Sequence, residues 1–351
     1  MYPLLMRRFV VENVPAPTRM SKAALGILLG CGCAALLPAT ASADDFAMTS
    51  QATPSYTLVT EPDQGLTSIY SLISSAKKTI DMTMYELSDT TVTKLLAQQA
   101  SDGVTVRVIL DQNLEKGNNT TAYNYLSSHG VTVHWANPTY WATHQKTITV
   151  DGTTTAIMTL NLTPQYYSTS RDFAVIENDA NDIAAIEATF AKDLTNSSVR
   201  PGVGDDLIWS PTNSLAALET IIGQSKYSLQ VENEEMGDSS IVTCLESAAK
   251  RGVNVEIIMT ANSSYTSELN ALKALGAHIV TYAQNAPLYI HAKVILADYG
   301  KTTAKVYIGS ENFSNASLTE NRELGVINSN AAIMSSLSPI LASDFKGGTP
   351  Y

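Results

Sequence analysis

The chain has 351 residues, of which 44% are hydrophobic and 16% are charged, and its 33 acidic and 22 basic side chains give a net charge of −11. This length predicts one large or two ordinary globular domains with a buried core. Intrinsic disorder, a collagen-like repeat and a disulfide scaffold are not expected from this composition. The acidic balance disfavours loose binding to nucleic acid, because non-specific affinity for phosphate polymers comes mostly from Lys and Arg.

Residues 1–43 have the pattern of a secretory signal peptide. Arg19 and Lys22 precede an apolar stretch from Ala23 to Leu37, and the small residues Ala41-Ser42-Ala43 follow. The apolar stretch is too short for a comfortable membrane span, so cleavage after Ala43 and export are predicted. A start at Met20 would give a more compact signal peptide, which makes the first 19 residues a candidate mis-assigned start.

After residue 43, apolar β-type runs alternate with helical patterns, which is typical of an α/β fold. The predicted strands of the first half are 79–86, 104–111 and 131–136, and its predicted helices are 65–75, 90–100 and 121–129. The predicted strands of the second half are 228–235, 253–260 and 278–282, and its predicted helices are 214–225, 239–251 and 266–275. The same order occurs twice, which indicates a duplicated unit.

The boundary between the two halves is predicted in the polar stretch from Asn196 to Asp206, which contains Pro201, Gly202 and Gly204. Residues 44–200 and 201–351 are therefore predicted to form two domains.

Polar residues recur between the halves at two constant offsets. At an offset of 147, His144, Lys146 and Asp151 become His291, Lys293 and Asp298. At an offset of 151, Thr159, Asn161, Arg171 and Asp172 become Ser310, Asn312, Arg322 and Glu323. Four additional residues in the second half fall in the polar stretch from Tyr299 to Lys305, as expected for a hairpin loop. Chance does not explain seven positions that recur in this way.

The repeated residues suit chemistry on a phosphodiester. Within a strand, His-x-Lys places both side chains on one face, because the strand period is two residues. Two such halves facing each other would supply two imidazoles, two ammonium groups and two amides. One imidazole can attack phosphorus, while the other protonates the leaving alcohol and then activates water. Lysine and amide donors can hold the anionic oxygens, so the reaction requires no metal.

The repeated acidic residues have different predicted roles. Asp151 and Asp298 lie at an odd offset from their histidines, on the opposite strand face or at the strand end, and are interpreted as structural. Asp172 and Glu323 are candidates to hydrogen-bond the distal ring nitrogens of their histidines and fix the tautomer. An ordinary ion pair with a neighbouring arginine is an equal alternative for both. Arg171 is interpreted as structural, and so is its counterpart in the second half.

The two motifs, His144-Gln145-Lys146 through Asp151 and His291-Ala292-Lys293 through Asp298, resemble the paired H-x-K-x4-D motifs of the phospholipase D superfamily. The resemblance extends roughly from Ser55 to Phe345. It implies two pseudo-symmetric phospholipase D-like α/β domains, each a mixed sheet flanked by helices, with the active site at their interface.

The resemblance also implies a two-step reaction without metal or cofactor, in which His144 is the nucleophile and His291 is the acid. Its implied site comprises both histidines with Lys146, Lys293, Asn161 and Asn312, and Thr159 and Ser310 as substrate-binding hydroxyls. The second half has Gly309-Ser310 where the first has Met158-Thr159. The missing glycine predicts a pocket that is reshaped on that side.

The function expected from the sequence is an exported, monomeric phosphodiesterase that hydrolyses or transfers the head-group bond of phospholipids at a membrane surface. A nuclease of the same superfamily is the nearest alternative, although no basic stripe favours nucleic acid. A catalytically silent phospholipid-binding module is a second alternative, supported only by Met158-Thr159. Glu86 and Glu235 recur at an offset of 149 and are interpreted as exposed carboxylates rather than head-group contacts.

Overall fold

The structure is a computed structural model that describes residues 53–351, and the predicted signal peptide at 1–43 lies outside the described residues. Within the described part, the elements form two successive sets, and each set builds one mixed sheet flanked by helices. The α/β architecture predicted from the sequence is confirmed.

The first set runs from β1 to α4. Its strands are β1 (Tyr56–Glu61), β2 (Thr79–Met84), β3 (Thr105–Leu110), β4 (Thr132–Trp135), β5 (Thr147–Val150), β6 (Thr154–Met158) and β7 (Ser170–Glu177). Its helices are α1 (Thr67–Ser75), α2 (Thr90–Ser101), α3 (Lys116–Ser128) and α4 (Ala180–Asp193).

The second set repeats the first. Its strands are β8 (Leu207–Ser210), β9 (Ser228–Asn233), β10 (Asn254–Thr260), β11 (His278–Tyr282), β12 (Tyr289–Ile290), β13 (Lys293–Ala297), β14 (Lys305–Gly309), β15 (Glu323–Asn328) and β16 (Thr349–Pro350). Its helices are α5 (Ser214–Gln224), α6 (Ser239–Lys250), α7 (Thr266–Ala274), α8 (Asn315–Thr319) and α9 (Ala331–Gly347).

The strand order shows the duplication directly. The first sheet has the order β1-β7-β6-β5-β2-β3-β4, and the second has the order β8-β15-β14-β13-β9-β10-β11-β16. Strands β2, β3 and β4 are parallel to one another, and so are β9, β10 and β11, whereas the β5–β6–β7 and β13–β14–β15 segments are antiparallel. Strand β12 of the second set pairs with β7 of the first sheet. Apart from β12 and the additional β16, the two sheets have the same order.

Three large apolar clusters form most of the described core, and a small fourth one contains Ile109, Ala136 and Phe190. One packs α1, α2 and α3 against the first sheet and includes Ile69 and Leu96. A second packs α5, α6 and α7 against the second sheet and includes Leu245. The third contains residues of both sheets, among them the fully buried Phe173 and Trp209. This shared cluster fixes the two sheets to each other, so side chains at their boundary are held in a defined geometry.

Two local features differ from the sequence interpretation. Helix α3 begins at Lys116 rather than near residue 121, because the carboxylate of Asp111 accepts the backbone N–H groups of Leu114 and Glu115, at 2.8 and 2.9 Å, just before it. The polar residues 116–119 carry no apolar periodicity that would reveal this turn. The two His-x-Lys segments lie at the entrances of β5 and β13, and the histidines precede the strands.

Asp151 and Asp298 occupy the turns that follow β5 and β13. Both have positive φ angles, of 55° and 52°. The Asp151 carboxylate accepts the backbone N–H groups of residues 77–79, and the Asp298 carboxylate accepts those of residues 226–228. Burial raises the pKa of both carboxyls, but these bonds lower it by more, together at Asp298 with a hydrogen bond from the Thr303 hydroxyl. Each aspartate therefore ties the end of the strand after a His-x-Lys motif to the start of β2 or β9.

Replacement of Asp298 by alanine is expected to destabilise the fold by about 2 kcal/mol, because three backbone donors lose a charged acceptor and a residue with positive φ gains strain. Denaturant unfolding followed by circular dichroism measures this change. Asp298→Asn, which tolerates the turn, should lose about half as much. Asp102→Ala removes an exposed carboxylate and should change the unfolding free energy by no more than about 0.5 kcal/mol. Equal effects of Asp298→Ala and Asp102→Ala would contradict the structural role.

Candidate active site

Each histidine of the two motifs is held by the backbone of the opposite half. The backbone N–H of His144 donates to the carbonyl oxygen of Arg322 at 2.9 Å, and that of His291 donates to the carbonyl oxygen of Arg171 at 3.3 Å. Their side chains are 11% and 16% exposed. Both imidazoles therefore lie at the junction of the two sheets.

The residue before each histidine is fixed to the end of an equivalent strand. The Asp111 carboxylate, directly after β3, accepts the N–H of Thr143 at 2.7 Å. The Thr260 hydroxyl, at the end of β10, accepts the N–H of Ile290 at 2.8 Å. The same strand end positions the motif in both halves, although the residue type differs.

The carboxylates are exchanged between the halves. Nδ1 of His144 lies 2.7 Å from Oε2 of Glu323, and Nδ1 of His291 lies 2.8 Å from Oδ1 of Asp172. The sequence associated each acid with the histidine of its own half, so the structure corrects this pairing. The reason is that each His-x-Lys segment runs beside the opposite half's strand entrance, at Arg322 or Arg171, immediately before the acid.

This arrangement leaves Nε2 of each ring directed away from its carboxylate. Burial and the positive charges of Lys146 and Lys293 lower the pKa of His144, although Glu323 opposes the shift. The pKa of Glu323 is lowered as well, because the interactions with His144 outweigh the effect of burial. His144 is therefore a neutral imidazole at pH 7, with Nδ1 donating to a carboxylate and Nε2 available as a nucleophile.

The two lysines are buried, at 1% and 0% exposure. Nζ of Lys146 donates to the carbonyl oxygen of His144 at 2.7 Å, and Nζ of Lys293 donates to that of His291. Burial, together with the charge of Lys293, lowers the pKa of Lys146 to about 7. The ammonium groups are close enough to disfavour each other, and an anion between them would relieve this repulsion.

The two asparagines lie at the same junction. Asn161 lines a cavity beside His291, and its Oδ1 is buried without a hydrogen-bond partner among residues 53–351. Nδ2 of Asn312 lies 3.4 Å from Oε2 of Glu234. The carboxamide of Asn161 therefore faces the cavity, whereas the amide nitrogen of Asn312 is engaged by Glu234.

The structure corrects the expectation that Thr159 and Ser310 bind substrate. Both are fully buried. The Thr159 hydroxyl donates to Oδ1 of Asp172 at 2.5 Å and accepts the N–H of Phe173. The Ser310 hydroxyl bonds to the backbone of Leu324 in β15. The hydroxyls therefore support the strands that carry the exchanged carboxylates.

Gly309, which has no glycine counterpart in the first half, has a different role from the one inferred from the sequence. A Cβ on Gly309 would lie 2.5 Å from Cα of Gly325 and 2.6 Å from a carboxylate oxygen of Glu311. The glycine is therefore required by packing between β14 and β15. Met158, its equivalent, is a buried core residue of the first half. The difference does not reshape the cavity wall, of which Met158 is not a part.

Arg171 and Arg322 are buried and directly precede the exchanged carboxylates in the chain. Arg171 forms a two-pronged ion pair with Asp344 of α9, at 2.6 and 2.9 Å. Nε of Arg322 lies 3.0 Å from Oδ2 of Asp193 at the end of α4. One pair joins β7 to a helix of the second half, and the other joins the residue before β15 to a helix of the first half, which agrees with the structural interpretation of the arginines.

Sequence reasoning missed Glu234, which contacts the second motif directly. Its Oε2 lies 3.1 Å from Nζ of Lys293 and 3.6 Å from Nε2 of His291. The offset of 149 would have found it, because this offset aligns Glu234 with Tyr85 and so places an acid where the first half has a neutral ring.

A cavity of about 570 Å³ opens beside His291. None of its lining residues is Lys or Arg. Burial and neighbouring carboxylates raise the pKa of Glu61 to about 7 and raise that of Glu86. The lining residues include four carboxylates and three tyrosines, namely Glu61, Glu86, Asp172, Glu234, Tyr166, Tyr167 and Tyr289.

Within residues 53–351, no group of three or more His, Cys, Asp or Glu side chains is arranged to hold a metal ion. In the same range, no helix combines the length and apolar character needed to cross a bilayer.

The sequence matches a family model described as the phospholipase D-like domain of cardiolipin synthase, once at residues 69–194 and again at residues 218–345. No curated protein sequence matches the chain.

Several solved structures resemble the fold. Phosphatidylserine synthase from Haemophilus influenzae Rd KW20 aligns with a TM-score of 0.64 at 11% identity, over 84% of this chain and 87% of that one. Polyphosphate kinase from Porphyromonas gingivalis aligns with a TM-score of 0.67 at 14% identity, over 83% of this chain, which spans only 50% of the kinase. The phospholipase D family member Nuc from Salmonella typhimurium aligns with a TM-score of 0.38 at 25% identity, over 41% of this chain and 95% of that one.

Affinity for a monoanionic diester such as diethyl phosphate is expected to fall about tenfold from about pH 6 to about pH 8. The ammonium form of Lys146 binds the anion, and this form is lost in the free protein as the pH rises through about 7. Titration calorimetry across this range measures the dependence. Lys146→Met should bind more weakly and lose this dependence, and a flat profile for the unmodified protein would contradict the assignment.

Proposed function

The chain belongs to the phospholipase D-like family, and on that basis we propose that it is an exported enzyme that cleaves or transfers the head-group phosphodiester of phospholipids through a phosphohistidine. Members of this family act on phosphodiesters. The observation that carries the proposal is the pair of imidazoles at one junction, each with a carboxylate on Nδ1 and a lysine two residues later in the chain.

In the first step, Nε2 of His144 attacks phosphorus as the bond to the head-group oxygen breaks. Protonated His291 gives its Nε2 proton to that oxygen, so the alcohol leaves neutral. Lys146, Lys293 and the two asparagines stabilise the charge on the non-bridging oxygens. In the second step, His291 takes a proton from water or another alcohol, whose oxygen attacks phosphorus and breaks the P–N bond.

The different surroundings of the two rings support this division of labour. His144 is buried beside two lysines, which favours the neutral form that a nucleophile requires. His291 lines the cavity, and its Nε2 lies 3.6 Å from the Glu234 carboxylate, so this ring faces the space that a leaving alcohol would occupy. His144 is therefore assigned as the nucleophile and His291 as the acid and base.

The cavity favours a lipid over a nucleic acid. Its carboxylates would repel the flanking phosphates of a polynucleotide, and its lining lacks the Lys and Arg that would neutralise them. Tyrosines offer an apolar surface with polar tips, which suits the boundary between head group and acyl chains. A lipid presents one diester to the site, whereas a nucleic acid presents many.

The protein without residues 1–43 is expected to cleave a fluorescent phosphatidylcholine in the presence of EDTA. His144→Ala and His291→Ala should each lower the rate by about 10³-fold or more, because each removes a group essential to one proton or phosphoryl transfer. Thin-layer chromatography of the products measures the rate, and added glycerol reveals transfer as a phosphatidylglycerol product. His278→Ala alters an exposed histidine of β11 and should retain activity within about twofold.

Single-stranded DNA is the comparison substrate in the same assay. Cleavage of DNA alone would replace the lipid proposal with a nuclease, and no turnover of either substrate would favour a silent binding module. Rapid quenching with a substrate labelled at phosphorus should leave acid-labile phosphate on the peptide that contains His144. Label on the His291 peptide would reverse the two roles.

Export is proposed from the sequence pattern of residues 1–43. In a bacterial host, mass spectrometry of the exported protein should find Asp44 as the first residue. Ala41→Leu combined with Ala43→Leu should block processing, because the peptidase requires small residues at these positions. An exported protein that retains the residues before Asp44 would contradict the predicted cleavage site.

A further inference from the structure

Glu234 lies where an oxygen of the bound phosphate would be expected. Its Oε2 is 3.1 Å from Nζ of Lys293, 3.4 Å from Nδ2 of Asn312 and 3.6 Å from Nε2 of His291. The proposed reaction assigns Lys293 and Asn312 to the non-bridging oxygens of the phosphate and His291 to the leaving oxygen. One carboxylate oxygen therefore already satisfies donors that a non-bridging oxygen needs.

The first half has no such acid. The equivalent residue is Tyr85, whose ring packs edge-on against His144 at 4.6 Å and lies 5.0 Å from Nζ of Lys146. Lys146 makes no ion pair with a carboxylate among residues 53–351. The two lysines thus differ in charge balance, since only Lys293 has a carboxylate partner.

Glu234 is held in its position as an anion. Tyr289 donates its hydroxyl to Oε1 at 2.9 Å, whereas Lys293 contacts Oε2. Burial raises the pKa of Glu234, but the charges of Lys293 and His291 lower it by more, so the group is ionised at neutral pH. The side chain is 23% exposed and lines the cavity, so it has open space on one side.

A second negative charge on the ligand would therefore meet a fixed negative charge. The two ammonium groups could together balance a dianion, but the Glu234 carboxylate offsets that of Lys293. A phosphodiester carries one negative charge, whereas a phosphomonoester carries between about 1.5 and 2 at pH 7. The site is matched to the former and opposes the latter.

We propose that Glu234 is a specificity-determining residue that selects phosphodiesters and rejects phosphomonoesters, including the phosphomonoester formed by hydrolysis. This inference rests on the proposed function. The monoester is the last product to leave, because water releases it from the histidine after the alcohol has gone. Glu234 repels the additional charge that appears at that moment and thereby promotes product release.

Glu234 rejects the monoester by electrostatic repulsion and not because the monoester loses a favourable contact. An entering diester shares Lys293 with Glu234 or moves the carboxylate toward the cavity. A monoester must do the same and also place its second charge near an unscreened carboxylate. Glu234 is therefore expected to weaken monoester binding more than diester binding.

The test compares a soluble diester, dihexanoyl phosphatidylcholine, with its monoester, dihexanoyl phosphatidic acid. Glu234→Gln preserves shape and removes the charge. It should lower the competitive inhibition constant of the monoester about tenfold or more, and change the KM of the diester by no more than about threefold. Progress curves of the variant should slow early, because product accumulates on the enzyme.

Two further variants serve as controls. Glu86→Gln removes a carboxylate from the same cavity that forms no ion pair with a lysine among residues 53–351, and the ratio of monoester to diester affinity should stay within about twofold. Glu234→Asp keeps the charge and should retain rejection of the monoester. Thermal unfolding of each variant verifies that it is folded.

Binding of inorganic phosphate tests this inference independently of the proposed function. Its binding is measured by titration calorimetry, which needs no turnover, and it should tighten about tenfold or more in Glu234→Gln. Failure to cleave any diester refutes the proposed function, while the phosphate titration still tests Glu234. Equal phosphate affinity in the unmodified protein and in Glu234→Gln overturns the inference. So does an equal change for monoester and diester.

Discussion

The exchange of carboxylates between the two halves is the constraint on which the site depends. His144 takes its acid from the strand entrance of the second half, and His291 takes its acid from that of the first. Neither half can orient its own imidazole. The shared apolar cluster around Phe173 and Trp209 and the ion pairs of the two arginines hold this junction together. The contacts that stabilise the interface therefore also set the orientation of the two imidazoles.

Duplication makes the two halves of the site similar, and the residues that differ between the halves give the two histidines different surroundings. Both sheets have the same strand order, and both motifs end in an aspartate that accepts three backbone donors. The side chains that face the reacting atoms are nevertheless different. Within the described part of the chain, Lys146 has the ring of Tyr85 beside it and no carboxylate partner, whereas Lys293 pairs with Glu234. This difference separates two otherwise equivalent histidines into a buried neutral ring and a ring beside an anion.

Much of this arrangement could be predicted from the sequence because duplication makes it visible twice. The offsets of 147 and 151 identified both histidines, both lysines and both acids, and alternating apolar patterns identified the central strands. The pairing of acid with histidine could not be predicted, because an offset within one half says nothing about which half supplies the contact. The roles of Thr159 and Ser310 were missed for a related reason. A residue's face on a strand does not reveal whether a neighbouring strand covers it, and here β7 and β15 do.

Glu234 was missed because a search for residues that recur between the halves does not find a position where the halves differ, here Glu234 and Tyr85. Within a duplicated chain, the positions that break the repeat can be as informative as those that preserve it. Gly309 also differs from its counterpart in the first half, but this difference serves only the close packing of Gly309 against Gly325 of the neighbouring strand.

The central claim is that both imidazoles reach a single phosphorus across the junction. A crystal structure with bound vanadate tests it most directly. The account predicts vanadium bonded to Nε2 of His144, with Nε2 of His291 within hydrogen-bond distance of the opposite apical oxygen, and with Nδ1 of each ring still on the carboxylate of the other half. Vanadate bound to one half alone, with the second imidazole out of reach, would contradict it.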